Sequence, residues 1–136
     1  MTLEVVTQPQ TFTPTTFSFV VPGRQRWTLR SVRADVDRAV GGAPNRAYML
    51  TVTDGTSIVA QAGADDAGTE PGTASITWCN CPAGSVAAGS DGVVVAPVPN
   101  LVLAAGYVIA GEILNPAGAD AWLDAVVWLD YVYVAA

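Results

Sequence analysis

Twelve carboxylates, six arginines and two cysteines carry nearly all the strong acid–base or ligand chemistry open to this 136-residue chain, which has no histidine and no lysine. That inventory removes several mechanisms at once. Without histidine there is no Ser-His-Asp triad, no Cys-His pair and no histidine-bound zinc; without lysine there is no Schiff base and no P-loop. A carboxylate pair of the glycoside-hydrolase type survives on paper. The acidic residues, however, are scattered: Asp65, Asp66 and Glu70 fall in a Gly-rich stretch, and Asp54 precedes Gly55 in a turn. No catalytic residue is assigned, and the chain is expected not to be an enzyme.

Calcium would need carboxylates converging from a loop. Asp35 and Asp37 are spaced for one strand face and Asp65-Asp66 is an adjacent pair, but neither has the DxDxDG spacing. Solvated charges protecting a sheet edge account for them, and no metal or other cofactor is expected. Cys79-Asn80-Cys81 is a possible thiol pair. On a continuing strand both sulfurs share a face, a poor geometry for a disulfide and half a zinc site at most. Two small buried side chains, an intersubunit disulfide or a metal bridge remain open for them. Among the aromatics, most fall on alternations that suit a core. Trp122 and Trp128, beside Asp124 and Asp130, stand apart as a candidate sugar-stacking or interface surface.

The elements that position these residues read as strands. Phe17, Phe19 and Val21 alternate before Pro22-Gly23, and Trp27 and Leu29 begin a second run. The apolar phase then shifts to Val32, Ala34 and Val36, which predicts a β-bulge near Arg30-Ser31. Tyr48, Leu50 and Val52 lead into Asp54-Gly55, which predicts a type I′ hairpin turn with positive φ at both residues. Ala74, Ile76 and Trp78 share a face of a strand over Thr73–Cys79, and Tyr107, Ile109, Gly111 and Ile113 share another. Val93–Ala96 and Leu101–Leu103, split by Pro97 and Pro99, suit an edge. In the closing run, strict alternation puts Leu123, Ala125, Val127, Leu129, Tyr131 and Tyr133 on one face and Trp122, Asp124, Val126, Trp128, Asp130, Val132 and Val134 on the other. The loops are placed at 38–45, 63–72, 80–91 and 115–121.

No window has helical spacing with a cap and a stop. The expectation is an all-β, two-sheet sandwich of jelly-roll or other Greek-key topology. Residues 1–15 form an N-terminal arm or edge strand, and 16–136 a single β-sandwich domain.

The surface needs explaining. Charged residues are only 13% of the chain against 51% hydrophobic, where soluble domains carry roughly 25% charged. Both faces of the closing strand are largely apolar. Burial of Trp122, Val126, Trp128, Val132 and Val134 against another subunit resolves both facts, so a homo-oligomer is expected. A net charge of −6, with the arginines of 24–33 followed at once by Asp35 and Asp37, argues against nucleic acid as a partner. The start Met1–Val6 has no signal-peptide features. No apolar run approaches the ~20 residues that span a bilayer, so no membrane partner is expected.

Four further pieces are Arg26–Val32, an arginine-bearing strand; Asn45–Gly55, an Asn-Arg leading through an aliphatic strand to Thr-Asp-Gly; Pro99–Tyr107, a Pro-x-x-x-Leu-x-x-Gly-Tyr element; and Ala119-Asp120, a loop before the closing apolar strand. Together, over residues 16–134, they resemble small phage virion proteins from GC-rich hosts. The resemblance implies a virion structural protein made in the host cytoplasm: a capsid decoration protein, a head-fibre base or a tail accessory, with other virion proteins such as the major capsid protein as partners. The alternative is a receptor- or carbohydrate-binding module on a tail or fibre.

Overall fold

The computed structural model describes residues 4–39, 46–65, 72–79, 93–98 and 101–135. Among them there is no helix. The strands are β1 (Glu4–Val6), β2 (Thr11–Phe12), β3 (Thr16–Val20), β4 (Gln25–Arg38), β5 (Ala47–Thr53), β6 (Ile58–Asp65), β7 (Gly72–Cys79), β8 (Val93–Pro97), β9 (Val102–Ala104), β10 (Val108–Leu114) and β11 (Ala121–Val134). They form a six-stranded sheet, ordered β1-β11-β4-β7-β8 with β9 also on β4, and a five-stranded sheet, ordered β2-β3-β10-β5-β6. The two pack face to face as a β-sandwich.

The pairing is nested. β5 pairs with β6, β4 with β7, β3 with β10 and β1 with β11, all antiparallel. The chain therefore runs as one long double ribbon whose successive pairs alternate between the sheets. The β11–β4 and β10–β5 contacts close it into a roll. That strand order is the jelly roll, which local periodicity could not distinguish from other Greek keys. β1 and β2 each edge one sheet. β8 is a parallel edge strand beside β7, and β9 covers β4 where β7 has ended.

Alternation sets the core as anticipated for Phe17 and Phe19, Tyr48, Leu50 and Val52, Ala74, Ile76 and Trp78, and Ile109 and Ile113, all buried. In β4 the phase shift is real. Ser31 pairs with Trp128 and Leu29 with Leu129, leaving Arg30 as the extra residue. Asp130 is the extra residue of β11, since Tyr131 pairs with Thr28. The two bulges restore each other's register, and their extra residues face each other as an ion pair, Arg30 Nη1 to Asp130 Oδ1 at 3.5 Å.

The closing strand departs from strict alternation twice. A bulge at Leu123, between the pairs Trp122–Val36 and Asp124–Asp35, turns Trp122 inward, and the bulge at Asp130 inverts the strand again. The core face is therefore Trp122, Ala125, Val127 and Leu129, with Val132 packed against it. Leu123, Tyr131 and Tyr133, expected inside, are 52%, 53% and 49% exposed. Trp122, expected on an interface, is 3% exposed. Its ring lies 5.2 Å from Phe17, 5.7 Å from Tyr48 and 6.4 Å from Trp78, and its Nε1 donates to the Thr15 carbonyl at 3.1 Å. Such ring pairs are each worth about 0.5–1.5 kcal/mol beyond area burial.

The β5–β6 hairpin is present, but its turn is not type I′. Only Gly55 takes positive φ, at 103°, and the loop is Asp54–Ser57 between the paired Thr53 and Ile58. Asp54 Oδ1 accepts from the Ser57 amide at 2.8 Å, the Thr56 amide at 3.0 Å and the Thr56 hydroxyl at 3.1 Å, which organises the turn without a second positive φ. The strand that follows runs on to Asp65, past the loop boundary expected at Gly63.

Two predictions follow from this geometry. The Ser57 and Thr56 amides hold the Asp54 carboxyl below its ordinary 3.8. A depressed folded-state value adds stability above the unfolded pKa and loses it as pH falls through the folded one. Asp54→Ala should therefore lower the melting temperature near neutral pH, and the gap to wild type should close as the pH is taken below 3.8. A Cβ at Gly111 would overlap the ring of Phe17, its cross-strand neighbour. Gly111→Ala should cost about 1–3 kcal/mol in urea unfolding, and less in a Phe17→Leu background.

Candidate functional site on the outer face of the six-stranded sheet

Three central strands present their outward residues in cross-strand rows. Asp124, Asp35 and Ser75 form one row on β11, β4 and β7; Val126, Arg33 and Thr77 the next; Trp128, Ser31 and Cys79 the third. Val5 of β1 extends the third row beyond Trp128. Apart from Cys79, which ends β7, these positions lie within paired strands, so the backbone ladder fixes them.

Arg33, Asp35, Asp124, Val126 and Trp128 line a depression of about 280 Å³. Its polar groups hold one another. The Ser75 hydroxyl donates to Asp35 Oδ1 at 2.6 Å, and Arg33 Nη2 donates to Ser75 Oγ at 3.3 Å. Arg33 Nε lies 3.8 Å from Asp35 Oδ1, and Asp124 Oδ1 accepts the Asp35 backbone N–H at 3.3 Å. The half-buried Trp128 forms one wall. The result is an aromatic surface beside two anchored carboxylates and a guanidinium.

Below the paired bulges the same sheet face changes character. Tyr131, Thr28 and Val102 form a row, then Tyr133, Arg26 and Ala104. The Arg26 guanidinium carbon stands 5.8 Å from the Tyr133 ring centroid. Tyr131, Tyr133 and Val102 are exposed.

The interface set read from the sequence is thus divided. Val126 and Trp128 do lie together on the outer face, Trp122 and Val132 turn to the core, and Val134 is exposed near the end of β11. Tyr131 and Tyr133 replace them, which strict alternation hid. Cys79 is disulfide-bonded and so is not a free thiol; Cys81, the other half of the expected pair, lies outside the described residues, as do Asp66, Glu70 and Asp91. Among the described residues no group of three or more His, Cys, Asp or Glu side chains is placed to hold a metal, and no helix is long and apolar enough to cross a membrane.

A second polar constellation is buried. Arg46 Nε donates to Asp120 Oδ2 at 2.9 Å and Nη2 to Oδ1 at 3.2 Å, with both side chains fully inaccessible. The amides of Ala39 and Ala117 donate to the same carboxylate, each at 2.8 Å. Four donors saturate Asp120, so its role is structural: it ties the end of β4, the entry to β5 and the β10–β11 loop. Nearby, buried Arg38 donates through Nε to the Gly72 carbonyl at 3.3 Å, adding the start of β7. Arg46 and Asp120 open the two strands noted in the sequence, but nothing local marks them as partners. Asp120→Ala should cost about 3–5 kcal/mol in urea unfolding, because it removes the carboxylate that neutralises a buried guanidinium. Joint replacement with Arg46→Met and Asp120→Leu should cost less than Asp120→Ala alone.

No protein-family model matches the sequence, and no curated protein does either.

Proposed function

We propose that the chain is a non-enzymatic structural subunit of a phage virion, one that decorates or cements the capsid or forms part of a head fibre or tail accessory. In this reading it self-associates through the lower outer face of the six-stranded sheet. The observation that carries the proposal is the exposed strip of Tyr131, Tyr133 and Val102 on a rigid sheet, in a chain only 13% charged. Aromatic side chains held on paired strands lose little conformational entropy on docking, and a contiguous apolar strip on a monomer is costly to leave in water. The strip crosses one sheet face from β11 to β9, so a second copy related by a two-fold axis can lay the same residues against it. The strand-and-turn resemblance to small phage virion proteins supplies the setting. Jelly rolls are also a recurrent architecture of capsid and lectin domains, which is an analogy of fold.

The mechanism is passive. The sandwich keeps its shape, repeated weak contacts add by avidity on a multivalent particle, and no bond is made or broken. Other virion proteins, the major capsid protein among them, are the expected neighbours.

Light scattering at micromolar concentration should show an oligomer. Tyr131→Glu combined with Tyr133→Glu should shift it to monomer, with the strand-rich circular dichroism spectrum unchanged. A wild-type monomer that also fails to bind purified capsids would sink the proposal.

A further inference from the structure

We infer that the depression between Trp128 and Asp35 is a saccharide subsite that accepts one pyranose ring of a neutral glycan. The inference does not depend on the particle assignment, because it uses the upper half of the sheet face and leaves the Tyr131–Tyr133 strip free. The Arg30–Asp130 pair lies between the two regions.

Three features of the depression point to a sugar. The first is its aromatic wall. Trp27, Trp78 and Trp122 are buried, whereas Trp128 is half-buried and lines the depression. The apolar C–H face of a pyranose covers an indole well, and the electron-rich ring face favours the polarised C–H bonds. The second is the polar complement. Asp35 and Asp124 each commit Oδ1 to a protein donor, and among the described residues no protein donor reaches their Oδ2 atoms. Two free carboxylate oxygens can accept from neighbouring hydroxyls, and Arg33 can donate to a third. The third is order. Each of these groups is braced by another, by Ser75 on Asp35, Arg33 on Ser75 and the Asp35 amide on Asp124, so little freedom is lost on binding.

The charge pattern narrows the ligand. An anionic group would face two carboxylates and a single arginine. A cationic side chain would meet Arg33, which already lies beside Asp35. A neutral polyol uses acceptors and donor together and needs no counter-charge. At about 280 Å³ the depression is just under the roughly 300–1,000 Å³ of pockets for drug-sized ligands, which suits a single ring.

The test combines a glycan array with tryptophan quenching. Wild-type protein should bind one or more neutral glycans on an array that carries neutral, sialylated and sulfated sets. The strongest neutral hit, added in solution, should then protect the fluorescence from acrylamide, since the accessible emission comes from Trp128. Trp128→Ala and Asp124→Asn should each weaken array binding by about tenfold or more, while Tyr133→Ala should not. Melting temperatures close to wild type would show that the variants fold. Absence of array binding, binding confined to acidic glycans, or neutral binding that survives Trp128→Ala would each overturn the inference. Binding of a lysine-rich peptide in place of any glycan would also overturn it. None of these outcomes changes the light-scattering result, so the two proposals fail separately.

Discussion

Arg46 and Asp120 stand 74 positions apart in sequence and meet where no solvent reaches them. Removing both charges from water carries a large desolvation penalty, which the bidentate geometry and the two additional amide donors offset. The pair is therefore a poor source of net stability and a strong source of specificity. Three chain segments can satisfy the Asp120 carboxylate only if β4 ends, β5 begins and the β10–β11 loop turns at the same place. In a jelly roll that end must be closed for both sheets to face each other squarely, and the aromatic cluster around Trp122 begins two residues beyond Asp120. Core and closure are thus fixed together.

The same economy appears along β4 and β11. Both strands span the length of the sheet, and each carries an extra residue near the same level, Arg30 on one and Asp130 on the other. A lone bulge would leave the two strands out of register; two opposed bulges keep the ladder and invert the faces of both strands. The inversion separates the polar depression around Trp128 from the tyrosine strip below it. One continuous sheet face thereby acquires two surfaces of different chemistry.

Much of the fold was legible in the sequence because its strands are amphipathic and local. The alternations through Phe17–Val21, Tyr48–Val52 and Ala74–Trp78 located the core, and the phase change from Leu29 to Val32 located the bulge at Arg30. The closing strand was misread because its apolar residues fill both faces. With no polar side to mark the solvent, period-two alternation has nothing to reset it at Leu123 or Asp130, and Trp122 exchanged places with Tyr131 and Tyr133. The turn at Asp54-Gly55 was recognised as a turn, yet its type depended on hydrogen bonds to the Asp54 side chain, which a dipeptide rule does not contain. Roll topology and the Arg46–Asp120 contact are non-local, and no spacing encodes them. The candidate site was half visible: Trp128, Val126 and Asp124 share a strand, but Arg33, Asp35 and Ser75 join them only across the sheet.

The nesting of the strand pairs also orders events in time. The innermost pair, β5 and β6, closes over four residues, whereas the outermost joins Val6 to Val127 across nearly the whole chain. The entropy of loop closure and the dependence of folding rate on sequence separation both favour growth outward from the hairpin. Each pair, once made, brings the ends of the next pair closer. This favours a ribbon that zips from its tip, with the β1–β11 pairing formed late. Until then β11, whose outer face carries Trp128, Tyr131 and Tyr133, lacks its cover on that edge, which makes its late docking the step most exposed to association with the wrong chain.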